Sequence, residues 1–318
     1  MCGISGFYSK TLPSFNNPIL KMNSAISHRG PDSNNIWQDK NSGIVFGHQR
    51  LSILDLSTAG DQPMVSSSGR FVITYNGEIY NHLNIRKEIE TINSNIKWKS
   101  TTDTETLLEA LEIWGVEKTL KKIVSMFAFA IWDKKNRILT LARDRIGEKP
   151  LYFGWQGKGY NKVFLFGSEL KALKAHPEFR GEIYQDAIAL QLRHNYIPAP
   201  YSIYKDIYKL LPGNYLQLRE YDLKKGSLPN PKPYWSLAKS AIYGNSNQIK
   251  FNEIDIQNGL EKYLKKSVKQ QMISDVPLGA FLSGGIDSST IVAMMQQQSN
   301  DPVKTFTIGF SENDYNEA

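Results

Sequence analysis

Cysteine usage constrains this chain more than any other feature, because its 318 residues contain one cysteine, Cys2. An internal disulfide framework is therefore excluded, and the fold must be held together by buried apolar cores. The hydrophobic content of 41% and the charged content of 22% suit a globular protein that can form such cores. At roughly 150 residues per domain the length predicts two domains, and a lone thiol favours a reducing, cytoplasmic setting.

The position of Cys2, directly after Met1, gives it a chemical significance. If Met1 is removed, one residue carries both a thiol and a free α-amine. An α-amine with a pKa of about 7.7–8.0 is partly unprotonated at neutral pH and can act as a base for the thiol. Gly3 and Gly6 would let a substrate approach the backbone closely. Position alone leaves two interpretations open, a nucleophile or an inert, small apolar residue.

The first two hundred residues read mainly as strands. Strands are predicted at 2–8, 43–54, 70–75, 127–132, 137–142, 151–155, 163–166 and 215–219, and helices at 105–114 and 169–174. The dipeptide Asn76-Gly77 predicts a tight turn after the third strand. Strands with few helices and antiparallel connections predict an α+β sheet layer rather than alternating βαβ units.

The last third of the chain follows a different pattern. Prolines and glycines between 222 and 252 indicate a domain boundary. A helix is predicted at 253–272, strands at 276–282 and 305–310, and a helix at 290–298. Between the first strand and the second helix lies SGGIDSS at 283–289, an arrangement that gathers backbone N–H groups around a phosphate. An ordinary turn is the alternative, but two glycines, three serines and an aspartate exceed what a turn requires.

Several short motifs occur in an order that resembles class II glutamine amidotransferases, and within that class glutamine-hydrolysing asparagine synthetase. They are MCGI at 1–4, HRGPD at 28–32, RLSIL at 50–54, NGEIYN at 76–81, TDTE at 102–105, DRIGEKPLY at 144–152 and GSELKAL at 167–173. The resemblance implies a four-layer αββα N-terminal-nucleophile hydrolase domain (α+β) at 2–221 and a linker at 222–252. At 253–318 it implies an incomplete α/β parallel-sheet domain of the ATP-pyrophosphatase type.

The same resemblance implies roles for residues of the first domain. Cys2 would attack the side-chain amide of glutamine, and the Asn76 side chain and Gly77 N–H would stabilise the oxyanion. Arg50 would hold the α-carboxylate with its planar fork, and Glu78 and Asp103 the α-ammonium. A helix-start charge is the alternative for Asp103. The implied glutamine site comprises Arg50, Leu51, Ser52, Ile53, Leu54, Asn76, Gly77, Glu78 and Asp103.

In the second domain, SGGIDSS matches the pyrophosphate loop of enzymes that make acyl-adenylates. This implies ATP and Mg²⁺, with Asp287 near the metal. The implied ATP site comprises Leu282, Ser283, Gly284, Gly285, Asp287, Ser288, Ser289 and Ile308. Since the family's synthetase domain is longer, we expect a fragment or a truncated product, poorly ordered at 253–318 in isolation.

The expected function is that of an ATP-dependent, glutamine-hydrolysing amidotransferase, a carbon–nitrogen ligase that converts aspartate to asparagine. Two alternatives stay open: amidation of a sugar carboxylate in surface-glycan synthesis, and a non-catalytic nucleotide- or partner-binding fragment. Glutamine, ATP and aspartate are the expected partners. We expect no nucleic acid, because the basic pairs behind the net charge of +7 are scattered, and no membrane, because no apolar run approaches about 20 residues. A homodimer is left open.

Overall fold

The computed structural model describes residues 1–11, 17–249, 252–310 and 312. It divides the chain into two compact units, Met1–Ala241 and Ile242–Ala318. Lys250 and Phe251 of the expected linker lie outside the described residues, as do residue 311 and residues 313–318 at the end of the expected second domain.

The first unit is built mostly of strands, as the sequence predicts. Its first half contains β1 Gly3–Ser9, α1 Asn17–Ser24, β2 Ser33–Asp39, β3 Ile44–Arg50, β4 Met64–Val65, β5 Phe71–Ile79, α2 His82–Ile92 and α3 Asp103–Lys122. The second half contains β6 Ser125–Asp133, β7 Ile138–Arg143, β8 Tyr152–Gln156, β9 Val163–Gly167, α4 Leu170–Lys174, α5 Gln185–His194, β10 Ile207–Lys209, β11 Asn214–Arg219, α6 Glu220–Lys225, β12 Lys232–Pro233 and α7 Leu237–Ser246. The division between the units falls within α7.

These strands form two six-stranded sheets, ordered β10-β8-β9-β1-β3-β2 and β12-β11-β7-β6-β5-β4. Because successive side chains of a strand point to opposite faces, each sheet offers one face to the other sheet and one to a helix. Ile4 and Phe46 of the first sheet pack with Trp132 and Leu141 of the second to form the central core.

Helices cover the two outer faces of these sheets. Ile19 and Met22 of α1 pack on the first sheet beside Phe7. Leu107 and Leu111 of α3 pack on the second sheet in the same way. The layers are therefore α, β, β and α, and the α+β fold predicted for the first domain is confirmed.

The predicted turn at Asn76-Gly77 was wrong. Strand β5 runs straight through the dipeptide, with Asn76 opposite Ala128 and Gly77 opposite Phe127 on β6. A Cβ added to Gly77 would lie 2.3 Å from the Met126 carbonyl oxygen. Glycine is thus required there for a close approach between strands rather than for a turn, and sheet pairing overrides the local preference of the dipeptide.

The second unit contains α8 Glu253–Gln271, β13 Gly279–Phe281, α9 Ile286–Gln296 and β14 Lys304–Phe306. The two strands are parallel, with Gly279 opposite Lys304, and they are shorter than the predicted 276–282 and 305–310. Helix α9 begins four residues earlier than the 290 predicted, since Gly285 already occupies its N-cap. Val268, Met294 and Met295 form a small core.

The expected linker at 222–252 contains defined structure. It holds most of α6, strand β12 and α7, and β12 pairs with β11 as an edge strand of the second sheet. None of the helices among the described residues combines the length and apolarity that a bilayer crossing requires.

Candidate active site

The two sheets bring several sequence-predicted residues to one place. Gly3 pairs with Gln49, so Cys2 and Arg50 lie at adjacent ends of β1 and β3. Asn76, Gly77 and Glu78 lie near the end of β5 in the facing sheet. Asp103 begins α3, which covers that sheet.

A cavity of about 160 Å³ lies at this position in the first unit. The predicted residues that line it are Cys2, Arg50, Leu51, Ile53, Leu54, Asn76, Gly77, Glu78 and Asp103. Ser52 is the one member of the predicted glutamine site outside this lining, and its backbone N–H donates to Asp32 Oδ2 at 2.7 Å. Cys2 and Asp103, which lie about a hundred positions apart in the chain, therefore line the same cavity.

The Cys2 thiol is held by the backbone of the residue that follows β3. Its Sγ lies 3.5 Å from the Leu51 carbonyl oxygen and accepts from the Leu51 N–H at 3.4 Å. Arg29 Nε donates to the Cys2 carbonyl at 2.9 Å. Burial raises the pKa of the thiol, although the Leu51 N–H opposes this effect. The thiol thus needs a base to become a nucleophile.

In this chain the α-amine belongs to Met1, which also lines the cavity. Burial lowers the pKa of this amine, and the positive charges of Arg29 and Lys149 lower it further. The cavity therefore favours an unprotonated amine at the chain terminus. Hydrolysis of the Met1–Cys2 peptide bond would instead free the α-amine of Cys2 itself.

Asn76 offers a donor without a partner. Its side chain is only 2% exposed, and Nδ2 makes no hydrogen bond within the part of the chain that the structure describes. Buried polar atoms are nearly always paired, so an unpaired donor on a cavity wall points to a ligand. A negatively charged oxygen is the ligand that such a donor would stabilise most.

Arg50 is fixed by the loop after β3. Its Nη1 donates to Asp61 Oδ1 and to the Ser57 carbonyl, both at 2.8 Å, and its Nη2 donates to the Asp55 carbonyl. A Cβ on Gly60 would lie 2.1 Å from Nη2. The guanidinium is therefore clamped against the cavity before any substrate binds, with 6% of the residue exposed.

Two carboxylates complete the polar lining. Asp103 is 5% exposed, and its Oδ2 accepts from the Ile79 N–H at 2.8 Å and from the Tyr75 hydroxyl at 3.0 Å. Burial raises the pKa of Asp103, and burial together with the charge of Asp103 raises the pKa of Glu78. Because a cation between them would relieve both effects, the pair is suited to an ammonium group.

Sequence reasoning missed other residues of the lining. Lys149 is the most consequential, because it brings a buried positive charge to the cavity. It belongs to the DRIGEKPLY motif, so the available signal was a charged residue three positions before the buried strand β8. The other lining residues without a predicted role are Met1, Gly60, Gln62, Tyr75, Thr102, Thr104 and Met126.

The candidate nucleotide loop lies in the second unit. A cavity of about 660 Å³ beside it is lined by Leu282, Ser283 and Ile308, together with Phe281, Phe306, Phe310 and Glu312. The other residues of the predicted ATP site lie outside this lining, in the turn and the first turn of α9: Gly284, Gly285, Asp287, Ser288 and Ser289. The described residues contain no cluster of three or more histidine, cysteine, aspartate or glutamate side chains that could hold a metal.

The layered sheets and the thiol at the second residue define the class, an N-terminal-nucleophile type of glutamine amidotransferase. Two solved structures share the fold. Glutamine phosphoribosylpyrophosphate amidotransferase from B. subtilis has a TM-score of 0.52 and 16% identity, over 99% of this chain and 67% of that chain. A structure described as the allosteric regulatory enzyme of purine biosynthesis has a TM-score of 0.52 and 17% identity, over 99% of this chain and 66% of that chain.

The chain belongs to the glutamine amidotransferase domain family, whose model matches residues 1–235, and residues 259–318 match the asparagine synthase family. A provisionally named glutamine-hydrolysing asparagine synthetase 2 of Methanocaldococcus jannaschii is 38% identical over 100% of this chain and 61% of its own length. Glutamine-hydrolysing asparagine synthetase 3 of Bacillus subtilis is 32% identical over 99% and 49%. The resemblance inferred from the motifs is confirmed, and the chain spans about half to three-fifths of these relatives.

Proposed function

We propose that the first unit hydrolyses glutamine at Cys2 and supplies ammonia for an ATP-dependent amidation. The observation that carries this proposal is the unpartnered Asn76 Nδ2 in the cavity that also holds the Cys2 thiol. A nucleophile and an oxyanion donor are the two parts that acyl transfer from an amide requires.

The charges around this cavity support glutamine as the substrate. Arg50 presents a clamped guanidinium to an α-carboxylate, and Glu78 and Asp103 present negative charge to an α-ammonium. Recognition of both backbone groups would distinguish the free amino acid from a glutamine side chain within a protein. The amide would then extend toward Cys2 and Asn76.

The chemistry follows from these positions once Met1 is removed. The α-amine of Cys2 takes the thiol proton, and the thiolate forms a bond to the amide carbon. The oxyanion is held by Asn76 Nδ2 and the Gly77 N–H. As the intermediate collapses, the C–N bond breaks and the α-ammonium returns its proton to the departing nitrogen, which releases ammonia. Water then cleaves the thioester and releases glutamate.

For the second unit we propose ATP binding and activation of a carboxylate as its AMP ester. The glycine-rich loop before α9 supports this, as does the match of residues 259–318 to the asparagine synthase family. Asp287 supplies hard carboxylate oxygens of the kind that Mg²⁺ prefers, and ATP phosphates would contribute further oxygens. Aspartate is the proposed acceptor, since the similar relatives are named glutamine-hydrolysing asparagine synthetases.

The test uses the chain after mass spectrometry has shown that Met1 is absent. Wild type should release glutamate from glutamine, and Cys2→Ala should lower the rate by more than about 1,000-fold, as expected for loss of a nucleophile. Calorimetric glutamine binding, measured on both proteins, serves as the control for folding. Glutamine binding without hydrolysis in the trimmed wild type would favour the non-catalytic alternative and overturn the proposal.

A further inference from the structure

Lys149 is a buried cation to which the steps above assign no role. It lines the cavity and is 5% exposed. Its backbone is fixed on both sides, since its N–H donates to Asp144 Oδ2 at 3.0 Å and its carbonyl accepts from Arg143 Nε at 2.7 Å. The loop after β7 therefore holds this residue firmly at the cavity wall.

The ammonium group of Lys149 faces the chain terminus. Its Nζ lies 3.1 Å from Met1 Sδ, and it forms no ion pair within the described residues. A thioether is a weak acceptor, so this contact offsets little of the cost of burying a charge. Removal of Met1 would take away even this partner and leave the ammonium in the cavity that Cys2 also lines.

The charged groups around the terminal amine come from several elements. Arg29, from the turn after α1, binds the Cys2 carbonyl, and its Nη2 has no partner among the described residues. The negative charges of an ionised Cys2 thiol and of Glu78 on β5 act in the opposite direction and raise the pKa of the amine. Asp103 and Arg50 act on that thiol with opposite signs.

Lys149 has its own charged neighbours. Glu78, Glu148 and Asp144 favour its charged form, whereas burial and Arg29 disfavour it. None of these three carboxylates forms an ion pair with it in the described structure. Arg29 Nη1 pairs with Glu169 Oε1 at 2.7 Å, so part of its charge near the terminus is compensated. Lys149 has no such carboxylate partner among the described residues.

We propose that Lys149 is a positioning residue for the base: its ammonium repels a second positive charge and so keeps the α-amine of Cys2 unprotonated at neutral pH. This inference rests on the proposed glutaminase function. The same repulsion makes the α-ammonium, once it has taken the thiol proton, a stronger acid toward the departing ammonia nitrogen. Both steps use one proton that moves from sulfur to the α-amine and then to the leaving group.

The single cysteine allows a direct test. Protein labelled with ¹³C-cysteine carries the label only at Cys2, so in the trimmed chain the Cα shift reports the amine and the Cβ shift reports the thiol. In Lys149→Met we expect the Cα titration midpoint to rise by about one pH unit, as expected for loss of one nearby charge. The acidic limb of kcat/KM for glutamine should rise with it. Lys149→Arg, which keeps the charge, should titrate like wild type.

Lys205→Met is the matched control, because this lysine is exposed and its ammonium pairs with the exposed Glu182. An unchanged Cα midpoint in a folded Lys149→Met protein would overturn the inference. A raised KM with an unchanged midpoint would also overturn it, by showing that Lys149 contacts glutamine instead. The titration needs no turnover, so it tests Lys149 even if glutamine is not hydrolysed, an outcome that would refute only the proposed function.

Discussion

The cavity of the first unit and the glycine-rich loop of the second differ in how their polar groups are held. Arg50, Asn76 and Asp103 are buried, and hydrogen bonds within the fold hold Arg50 and Asp103. Ser283, Gly284 and most of their neighbours are exposed, and within the described part of the chain the Ser288 hydroxyl bonds to Ser283 and Gly285 of the same loop.

The cavity is a buried site whose polar groups are positioned before a ligand binds, whereas the loop is a site exposed to solvent. In the cavity the groups that would meet a transition state are already buried and positioned by the folded chain, so little reorganisation is needed when charge develops. In the loop, N–H groups and hydroxyls remain accessible to solvent, and a phosphate would have to displace that solvent. We therefore expect substitutions in the cavity to have large effects on catalysis and stability, and comparable substitutions in the loop to have small effects on stability.

The largest expected effect concerns the oxyanion donor. Asn76→Ala should lower kcat for glutamine hydrolysis by about 100- to 1,000-fold with little change in KM, because the donor acts on charge that appears only in the transition state. Steady-state kinetics of the trimmed chain provide the measurement. Asn247→Ala, at an exposed asparagine whose side chain donates to the Tyr243 carbonyl, is the control and should leave the kinetics unchanged. A rise in KM at constant kcat would instead mean that Asn76 binds ground-state glutamine.

The second expected effect concerns pH and His48. Burial lowers the pKa of His48 from 6.5 to about 4, so the folded state binds fewer protons than the unfolded state between these values. The stability that a neutral His48 contributes is therefore complete above pH 6.5 and is lost as pH falls toward 4, by up to about 3 kcal/mol. In His48→Gln, the free energy of unfolding of the first unit should fall less steeply over this range.

All five histidines of the chain lie in the first unit, so the second unit lacks this source of acid sensitivity. Amide exchange at pH 7 and pH 4.5 would separate the two units. Parallel pH dependences in wild type and His48→Gln would contradict the assignment to His48.

A third effect compares two glycines. In Gly77→Ala the new Cβ would lie 2.3 Å from the Met126 carbonyl oxygen and 2.7 Å from Phe127 Cβ. Strand β5 would have to move, at a cost of about 1–3 kcal/mol. In Gly285→Ala the nearest atom is Ser283 Oγ at 3.6 Å and φ is −73°, so stability should stay within about 0.5 kcal/mol. Urea denaturation of both variants gives the comparison, and equal losses would refute it.

The sequence predicted features that have a local signal and missed features that depend on which segments meet in the fold. Strand periodicity and the motif order predicted the layers, the thiol and most of the cavity lining, because those signals are local or lie at fixed spacings. The turn predicted at Asn76-Gly77 was wrong, because the local preference of the dipeptide gives no information about its pairing with strand β6. No role was predicted for Lys149, because only the folded structure shows that its ammonium lies next to Met1.

The last prediction compares two hydroxyls at helix beginnings. Thr102 is the buried N-cap of α3, where its side chain accepts from the Glu105 N–H at 3.2 Å. Thr102→Ala should therefore lower the stability of the first unit by about 1 kcal/mol. Ser288 lies in the first turn of α9, and its bonds to Ser283 and Gly285 are exposed, so Ser288→Ala should change the stability of the second unit by less than about 0.5 kcal/mol. Amide exchange of each helix measures both values. A loss for Ser288→Ala as large as that for Thr102→Ala would mean that the loop is held by its internal bonds as firmly as the cavity is by burial, and the contrast between the two regions would then be lost.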